Sequence, residues 1–263
     1  MEDKFVIDAH LHIGPLGAFF LPQTEPDDLV HLMDRLGMSH AICMDHLSTM
    51  EGCCAGLDNH RELFERSKGR VYYLGVFHPS RASACLTALD RARDWPGFAG
   101  IKIHPAMHRV QADDPSYEPV WAFANQYQLT ILTHSWSASE YNPAQRLSTP
   151  DLFEEYVSSF PHARLVLGHA GGRGNGRDQA IRMVKEHPNV HLDFAGDIFC
   201  HRLIEQLVQL VPVEKILFGS DFPWLDPRAN LSRVLLADVP SATKIKILCN
   251  NAIHIYKLGG LQC

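Results

Sequence analysis

Eight apolar runs of strand length recur along the chain, at 5–10, 40–44, 71–77, 100–104, 129–134, 164–168, 190–194 and 215–219. Between them lie stretches with the 3.6-residue period of amphipathic helices, at 27–36, 58–66, 82–93, 118–126, 151–158, 178–185, 202–210 and 231–236. Such alternation is the pattern of repeated βα units, which fold around a parallel sheet. A last helical stretch at 242–258 reads as a closure beyond the eighth strand. A (β/α)8 barrel takes about 250 residues. This chain has 263 and no linker-like segment, so the reading is one TIM-barrel domain over 1–263. An open doubly wound sheet is the alternative, but no GxGxxG follows the first strand to support it.

The connections are asymmetric. Those after helices are short and punctuated by Gly37, Gly69, Pro96-Gly97, Pro161, Pro188-Asn189 and Pro212, whereas those after strands run long, at 14–26, 45–57, 105–116 and 135–150. One end of the barrel therefore carries the elaborated loops. In a barrel that is the end where catalytic residues gather.

Charge excludes several partners. Lys+Arg of 24 against Asp+Glu of 30 gives −6, with no basic stripe to grip nucleic acid or an anionic membrane. No apolar run approaches the ~18 residues a membrane-spanning helix needs. Met1-Glu2-Asp3-Lys4 lacks the features of a secretory leader, so a cytoplasmic protein is expected. Cys43, Cys53, Cys54, Cys85, Cys200, Cys249 and Cys263 are odd in number, scattered and in no CxxC spacing, which reads as reduced thiols. The adjacent Cys53-Cys54 pair reads as loop thiols.

The 16 histidines are the compositional oddity, and their positions along the strands sort them. The first strand ends Ile7-Asp8-Ala9-His10-Leu11-His12, and alternation puts Asp8, His10 and His12 on one face, delivering two imidazoles side by side. Strand five ends at His134, strand six is followed by His169, and strand eight by Ser220-Asp221. In a barrel these ends converge on one mouth, so His10, His12, His134, His169 and Asp221 can meet. Nitrogen-rich ligation with one carboxylate suits Zn²⁺, with Mn²⁺, Co²⁺ or Fe²⁺ as substitutes. Asp8 lies deeper, with either a hydrogen bond to a ligand histidine or a buried salt bridge as its role. Of the remaining histidines, His46, His78 and His108 follow strands two, three and four and can also reach the mouth.

Strand four carries Lys102 and His104 on one face. His104 is nearer the mouth and is a candidate substrate binder, while Lys102 is placed to pair with a carboxylate inside the barrel. The stretch Gly168-His169-Ala170-Gly171-Gly172-Arg173-Gly174 reads as a close-approach turn around His169, with Arg173 able to hold an anion. Leu16, Phe19, Phe20, Trp136, Tyr141, Phe222 and Trp224 in the long loops can wall a pocket for a small organic substrate.

Ile7-Asp8-Ala9-His10-Leu11-His12, Gly100-Ile101-Lys102-Ile103-His104-Pro105, Ile131-Leu132-Thr133-His134, Leu167-Gly168-His169-Ala170-Gly171-Gly172 and Leu217-Phe218-Gly219-Ser220-Asp221-Phe222-Pro223 together resemble the amidohydrolase superfamily. The resemblance is to its amidohydrolase-related branch of hydrolases and non-oxidative decarboxylases. It implies metal ligation by His10, His12, His134 and Asp221, with His169 polarising substrate or positioning water. Independently of the resemblance, strand and loop positions make His104, Trp136, Arg173 and Phe19 the candidate substrate contacts. In the two-metal branch a carboxylated lysine of strand four bridges the ions, but Lys102 lies two residues before His104, too deep for that, so one ion per subunit is expected.

The leading expectation is a metal-dependent hydrolase of a cyclic amide, lactone or related carbonyl compound, with Asp221 shuttling the water's proton. The alternative is non-oxidative decarboxylation of a small aromatic or unsaturated carboxylic acid, in which Asp221 and His169 govern protonation of the carbon losing CO₂. A barrel that has lost activity is disfavoured, because every proposed ligand position holds a competent side chain. A homodimer is expected from the resemblance and from the frequency of twofold assembly.

Overall fold

The Val-, Ile- and Leu-rich runs form strands because such side chains pack well on a pleated surface buried on both faces. In a computed structural model that describes residues 5–14, 26–51, 56–198 and 200–263, they are β1 (Ile7–Ile13), β2 (His40–Asp45), β3 (Val71–Val76), β4 (Phe98–Ile103), β5 (Thr130–His134), β6 (Arg164–Gly168), β7 (Val190–Asp193) and β8 (Ile216–Leu217). All pair in parallel and in chain order. The seam between β8 and β1 is bridged by separate backbone bonds, Ala9 N–H to the Phe218 carbonyl at 3.0 Å and Asp221 N–H to that of His10 at 2.8 Å. The result is a nearly closed (β/α)8 TIM barrel.

The helices are α1 (Pro26–Leu36), α2 (His46–Glu51), α3 (Gly56–Arg66), α4 (Ala82–Ala92), α5 (Pro105–His108), α6 (Glu118–Tyr127), α7 (Glu154–Ser159), α8 (Asn175–Glu186), α9 (Leu203–Leu210), α10 (Pro227–Leu235), α11 (Ser241–Ile245) and α12 (Asn251–Ile255). The sequence leaves α2 and α5 as loop, because both are under two turns long and lie just beyond strand ends. Their starts are local: the His104 ring accepts the Met107 N–H at 3.3 Å, and Pro105 supplies the first residue of α5. The expected single closing helix is instead three pieces, α11, a π-helical turn over Lys246–Asn250, and α12. The wide turn buries Ile247, Leu248 and Cys249 together.

Two apolar layers result. The larger lies between sheet and helices, and the smaller fills the barrel floor with Ile7, Ile42, Leu74, Leu132, Val166 and Leu217. Each such side chain contributes about 1.5–3 kcal/mol of burial. Ala252, Ile255 and Tyr256 plug that floor from below, and Thr130 Oγ1–H donates to the Ile255 carbonyl at 2.6 Å. The N-terminal strand ends are thereby sealed by apolar packing, leaving polar side chains to the opposite end.

One cysteine expectation is corrected here. Cys249 and Cys263 form a disulfide, their Cα atoms 6.3 Å apart, rather than standing as reduced thiols. The chain end folds back on the closing helices, a proximity that sequence spacing does not carry. Cys43 and Cys85 are buried free thiols and Cys200 is half-buried. Cys53-Cys54 falls outside the described residues, as do Leu16, Phe19 and Phe20.

Candidate active site

A β-bulge decides which residues of β1 face the barrel mouth. Asp8 pairs with Ala41 and Leu11 with Cys43, so β1 spends three steps where β2 spends two. Strand alternation therefore fails: Asp8 shares the helix-facing side with Leu11, while His12 pairs with Met44 on the inner side. Asp8 binds no histidine ring. Its Oδ1 accepts the backbone N–H groups of His10 (3.2 Å) and Ser220 (3.0 Å), tying β1 to the segment after β8. Burial raises its carboxyl to about 7 against those hydrogen bonds.

The inserted residue turns His10 inward. His10 Nε2, His12 Nε2 and Asp221 Oδ1 form a buried group, with His12 at 3.2 Å and His10 at 3.8 Å from the carboxylate oxygen. Burial pushes both imidazoles down, so each is neutral; His10 keeps its lone pair on Nε2, and the proton that His12 Nε2 shares with Asp221 is the one an ion would displace. Burial alone would raise the Asp221 carboxyl, but His169, the hydrogen bond from His12 and the nearby His10 hold it far below the usual carboxylate range. Two neutral imidazole nitrogens and one ionised carboxylate in a buried cluster are a fitting donor set for a divalent metal.

Asp193, at the end of β7, organises the other side of His10. Its Oδ2 accepts from His10 Nδ1–H at 2.8 Å, and its Oδ1 accepts the backbone N–H groups of His169 and Ala195, both at 2.9 Å. His169 Nδ1–H donates to the Ala195 carbonyl at 3.0 Å, which leaves Nε2 as its free nitrogen. His169 (φ 61°) and Asp221 (φ 65°) both sit in the left-handed region, an uncommon conformation for side-chain-bearing residues that clusters at functional sites.

His134 stands beside this cluster. Its ring packs against His169 at 4.8 Å and stacks on His104 at 4.2 Å, while Nε2–H donates to Gln145 Oε1 at 2.7 Å. Only Nδ1 is then available as a lone pair. Trp136 lies parallel to His134 at 6.1 Å, and a Cβ at Gly172 (φ 76°) would stand 2.6 Å from its ring. Gly168 likewise leaves room, since a Cβ there would come within 3.0 Å of the His10 ring and 2.6 Å of the Thr133 carbonyl. The glycine-rich stretch is thus a close-approach turn. Arg173 commits its guanidinium to Asp197 at 2.9 Å, and Tyr141 is fully exposed and walls nothing.

Sequence reasoning passed over Asp193 and Gln145, and it placed Lys102 and His46 near the mouth without assigning either a contact to the ligand histidines. Asp193 carries the signal used for Asp221, an acid ending an apolar strand, yet it was read as part of strand seven. Lys102 is not too deep: its Nζ lies 3.3 Å from His10 Nε2, and burial lowers it to about 8 against the pull of Asp221 and Asp193. His46 stacks on His12 at 4.3 Å and accepts the Trp224 indole N–H at 2.8 Å. Gln145, within a long loop, has no sequence signature at all.

The family model for amidohydrolases matches residues 7–258. The chain belongs to the amidohydrolase family. A curated relative, the gamma-resorcylate decarboxylase of Rhizobium sp. (strain MTP-10005), is 23% identical over 160 residues, covering 54% of this chain and 43% of that protein. The match thus spans less than half of that relative's length. The 2,6-dihydroxybenzoate decarboxylase from Rhizobium shares the fold at a TM-score of 0.76 and 15% identity, over 98% of this chain and 100% of that one. A dihydroxybenzoic acid decarboxylase from Polaromonas, solved with manganese and 2-nitroresorcinol, gives 0.77 and 15% over 98% of each chain. These relatives overturn the hydrolase expectation in favour of its alternative. The physical reason is that one metal constellation serves both reactions, so the strand-end motifs do not separate them. Among the described residues, no helix is long and apolar enough to cross a membrane.

Proposed function

We propose that the chain is a metal-dependent, non-oxidative decarboxylase of a small aromatic or unsaturated carboxylic acid. The observation that most supports this is that the three relatives above, found by sequence and by structure, are decarboxylases of resorcylate or dihydroxybenzoate. His10, His12 and Asp221 would hold one ion per subunit, with His134 adding Nδ1. Zinc suits that donor set, and manganese, cobalt or iron(II) are the alternatives. When bound, the ion supplies Lewis acidity at the substrate's carboxylate or a neighbouring oxygen.

The chain's own groups divide the remaining work. The bond from ring carbon to CO₂ breaks, its electron pair stays on the carbon, and His169 Nε2 delivers a proton there. Asp221, held ionised by the histidines around it, does not compete for the proton. His104, whose Nδ1 is occupied by the Met107 N–H, presents only Nε2–H to a substrate oxygen. Trp136 supplies a flat apolar surface beside His134, suited to a planar ring.

The test is incubation of metal-loaded protein with hydroxybenzoates, cyclic amides and lactones, assaying CO₂ and carboxylate release separately. The expected result is one CO₂ per decarboxylated ring, with His169→Asn lowering kcat by about 10²–10⁴. Lactone or amide opening without CO₂ from any acid would overturn the proposal.

A further inference from the structure

We propose that Asp193 is a positioning residue that fixes the imidazole tautomer of His10 and, through its other oxygen, holds the backbone of His169. The claim stands on hydrogen-bond geometry and is independent of which reaction the site runs.

Asp193 is fully buried, and its two oxygens take three donors: His10 Nδ1–H, His169 N–H and Ala195 N–H. A carboxylate so engaged cannot rotate without losing a partner, and as an acceptor it demands the proton on His10 Nδ1. That leaves the lone pair of His10 on Nε2, the atom that converges with His12 Nε2 and Asp221 Oδ1. Lys102 favours the same choice from the other side, through a contact of 3.3 Å to Nε2 that is longer and weaker than the 2.8 Å bond to Asp193. The opposite tautomer would set a lone pair against Asp193 and an N–H against Lys102, mispairing both ends of one buried ring.

The second oxygen acts on His169. That residue (φ 61°) and Ala170 (φ 47°) form a left-handed pair, a strained arrangement that persists only where neighbours hold it. The bond from His169 N–H to Asp193 Oδ1 is such a hold. One carboxylate therefore couples the ligand histidine of β1 to the histidine that follows β6. His10, His169 and Asp193 also lie close enough to suggest a second ion site. His10 Nδ1–H and both Asp193 oxygens are already spent on hydrogen bonds, so the group orients the side chains.

Metal-free protein labelled with ¹⁵N at histidine tests this through the two-bond ring correlations of His10, assigned by their loss in His10→Gln. The expected wild-type tautomer carries the proton on Nδ1. In Asp193→Asn the amide turns its NH₂ toward Nδ1, and the proton moves to Nε2. Zn²⁺ affinity, measured by chelator competition, should fall about 10–100-fold with stoichiometry unchanged. A wild-type His10 protonated on Nε2, an Asp193→Asn protein that keeps the Nδ1–H form with undiminished affinity, or loss of one of two bound zinc ions would each overturn the proposal. The wild-type spectrum decides alone if the variant does not fold. It also decides if the protein binds no zinc, an outcome that counts against the metal-dependent decarboxylase instead.

Discussion

The ammonium of Lys102 sits 3.3 Å from Nε2 of His10, on the lone pair that would bind a metal ion. Lys102 is therefore the resident cation of a cluster that also holds Asp193 and Asp221.

A divalent ion entering that cluster meets a like charge, worth up to about 4 kcal/mol at 4 Å for unit charges near an effective dielectric of 20. Lys102→Met should therefore tighten Zn²⁺ binding at pH 7 by at least about tenfold, read by chelator competition. The same variant should lower the metal-free melting temperature, since it leaves two buried carboxylates without their cation. Weaker zinc binding would make Lys102 a ligand rather than a competitor.

Trp224 and His46 support His12 from outside the donor group. Removing the indole N–H in Trp224→Phe leaves the buried His46 Nε2 without its 2.8 Å donor while keeping an aromatic ring. An unpaired buried acceptor costs about 1–3 kcal/mol. Urea unfolding should show a loss of that size, and Trp224→Leu should show more because the ring contact goes too. An unchanged midpoint in Trp224→Phe would mean that His46 finds another partner.

How much of this was legible in the sequence depends on which side chains strand ends expose. The eight strands, their order and the convergence of His10, His12, His169 and Asp221 followed from periodicity, because a parallel barrel leaves little freedom in where a strand ends. Asp8 was misplaced because a bulge inverts alternation within β1, and nothing in Asp8-Ala9-His10 announces an inserted residue. The position of Trp136 over His134 depends on Gly172, a contact between separate loops that spacing does not carry. Cys249 and Cys263 met only because the last residues fold back over α12. Period and composition carry local geometry. These misses all lie in contacts set by the tertiary path.

Acid should destabilise the metal-free protein well above the carboxylate range. Burial lowers His46 and His60 to about 4 and His108 and His191 to about 3, from the ordinary 6.5. The unfolded chain thus takes up protons from pH 6.5 downward while the folded chain resists. The stability from keeping these rings neutral is complete above 6.5 and is lost as pH falls toward their folded values. Asp8, raised to about 7, works oppositely, its contribution being lost as pH rises from 3.8 to 7. Four histidines outweigh one carboxyl. Unfolding free energy at pH 5 should lie at least about 2 kcal/mol below that at pH 7, the amount one such histidine contributes over 1.5 units. Equal stability at the two pH values would show that these rings protonate in place.

Gly168 is where steric room, rather than charge, limits the site. A methyl there would stand 2.6 Å from the Thr133 carbonyl on β5 and 3.0 Å from the His10 ring. The carbonyl belongs to a strand that pairs with β6 on either side of the contact, from Thr130–Arg164 to His134–Gly168, so it cannot recede without breaking the ladder. The strain must then fall on His10, the softer neighbour, and move its Nε2 away from His12 and Asp221. Gly168→Ala is expected to lose about 1–3 kcal/mol of stability, the usual cost of overpacking a close contact, together with most of its zinc affinity. Measured side by side, thermal unfolding and chelator competition separate the two effects. A variant that loses stability but binds zinc as the parent does would show the strain absorbed by the β5–β6 ladder instead of by the histidine.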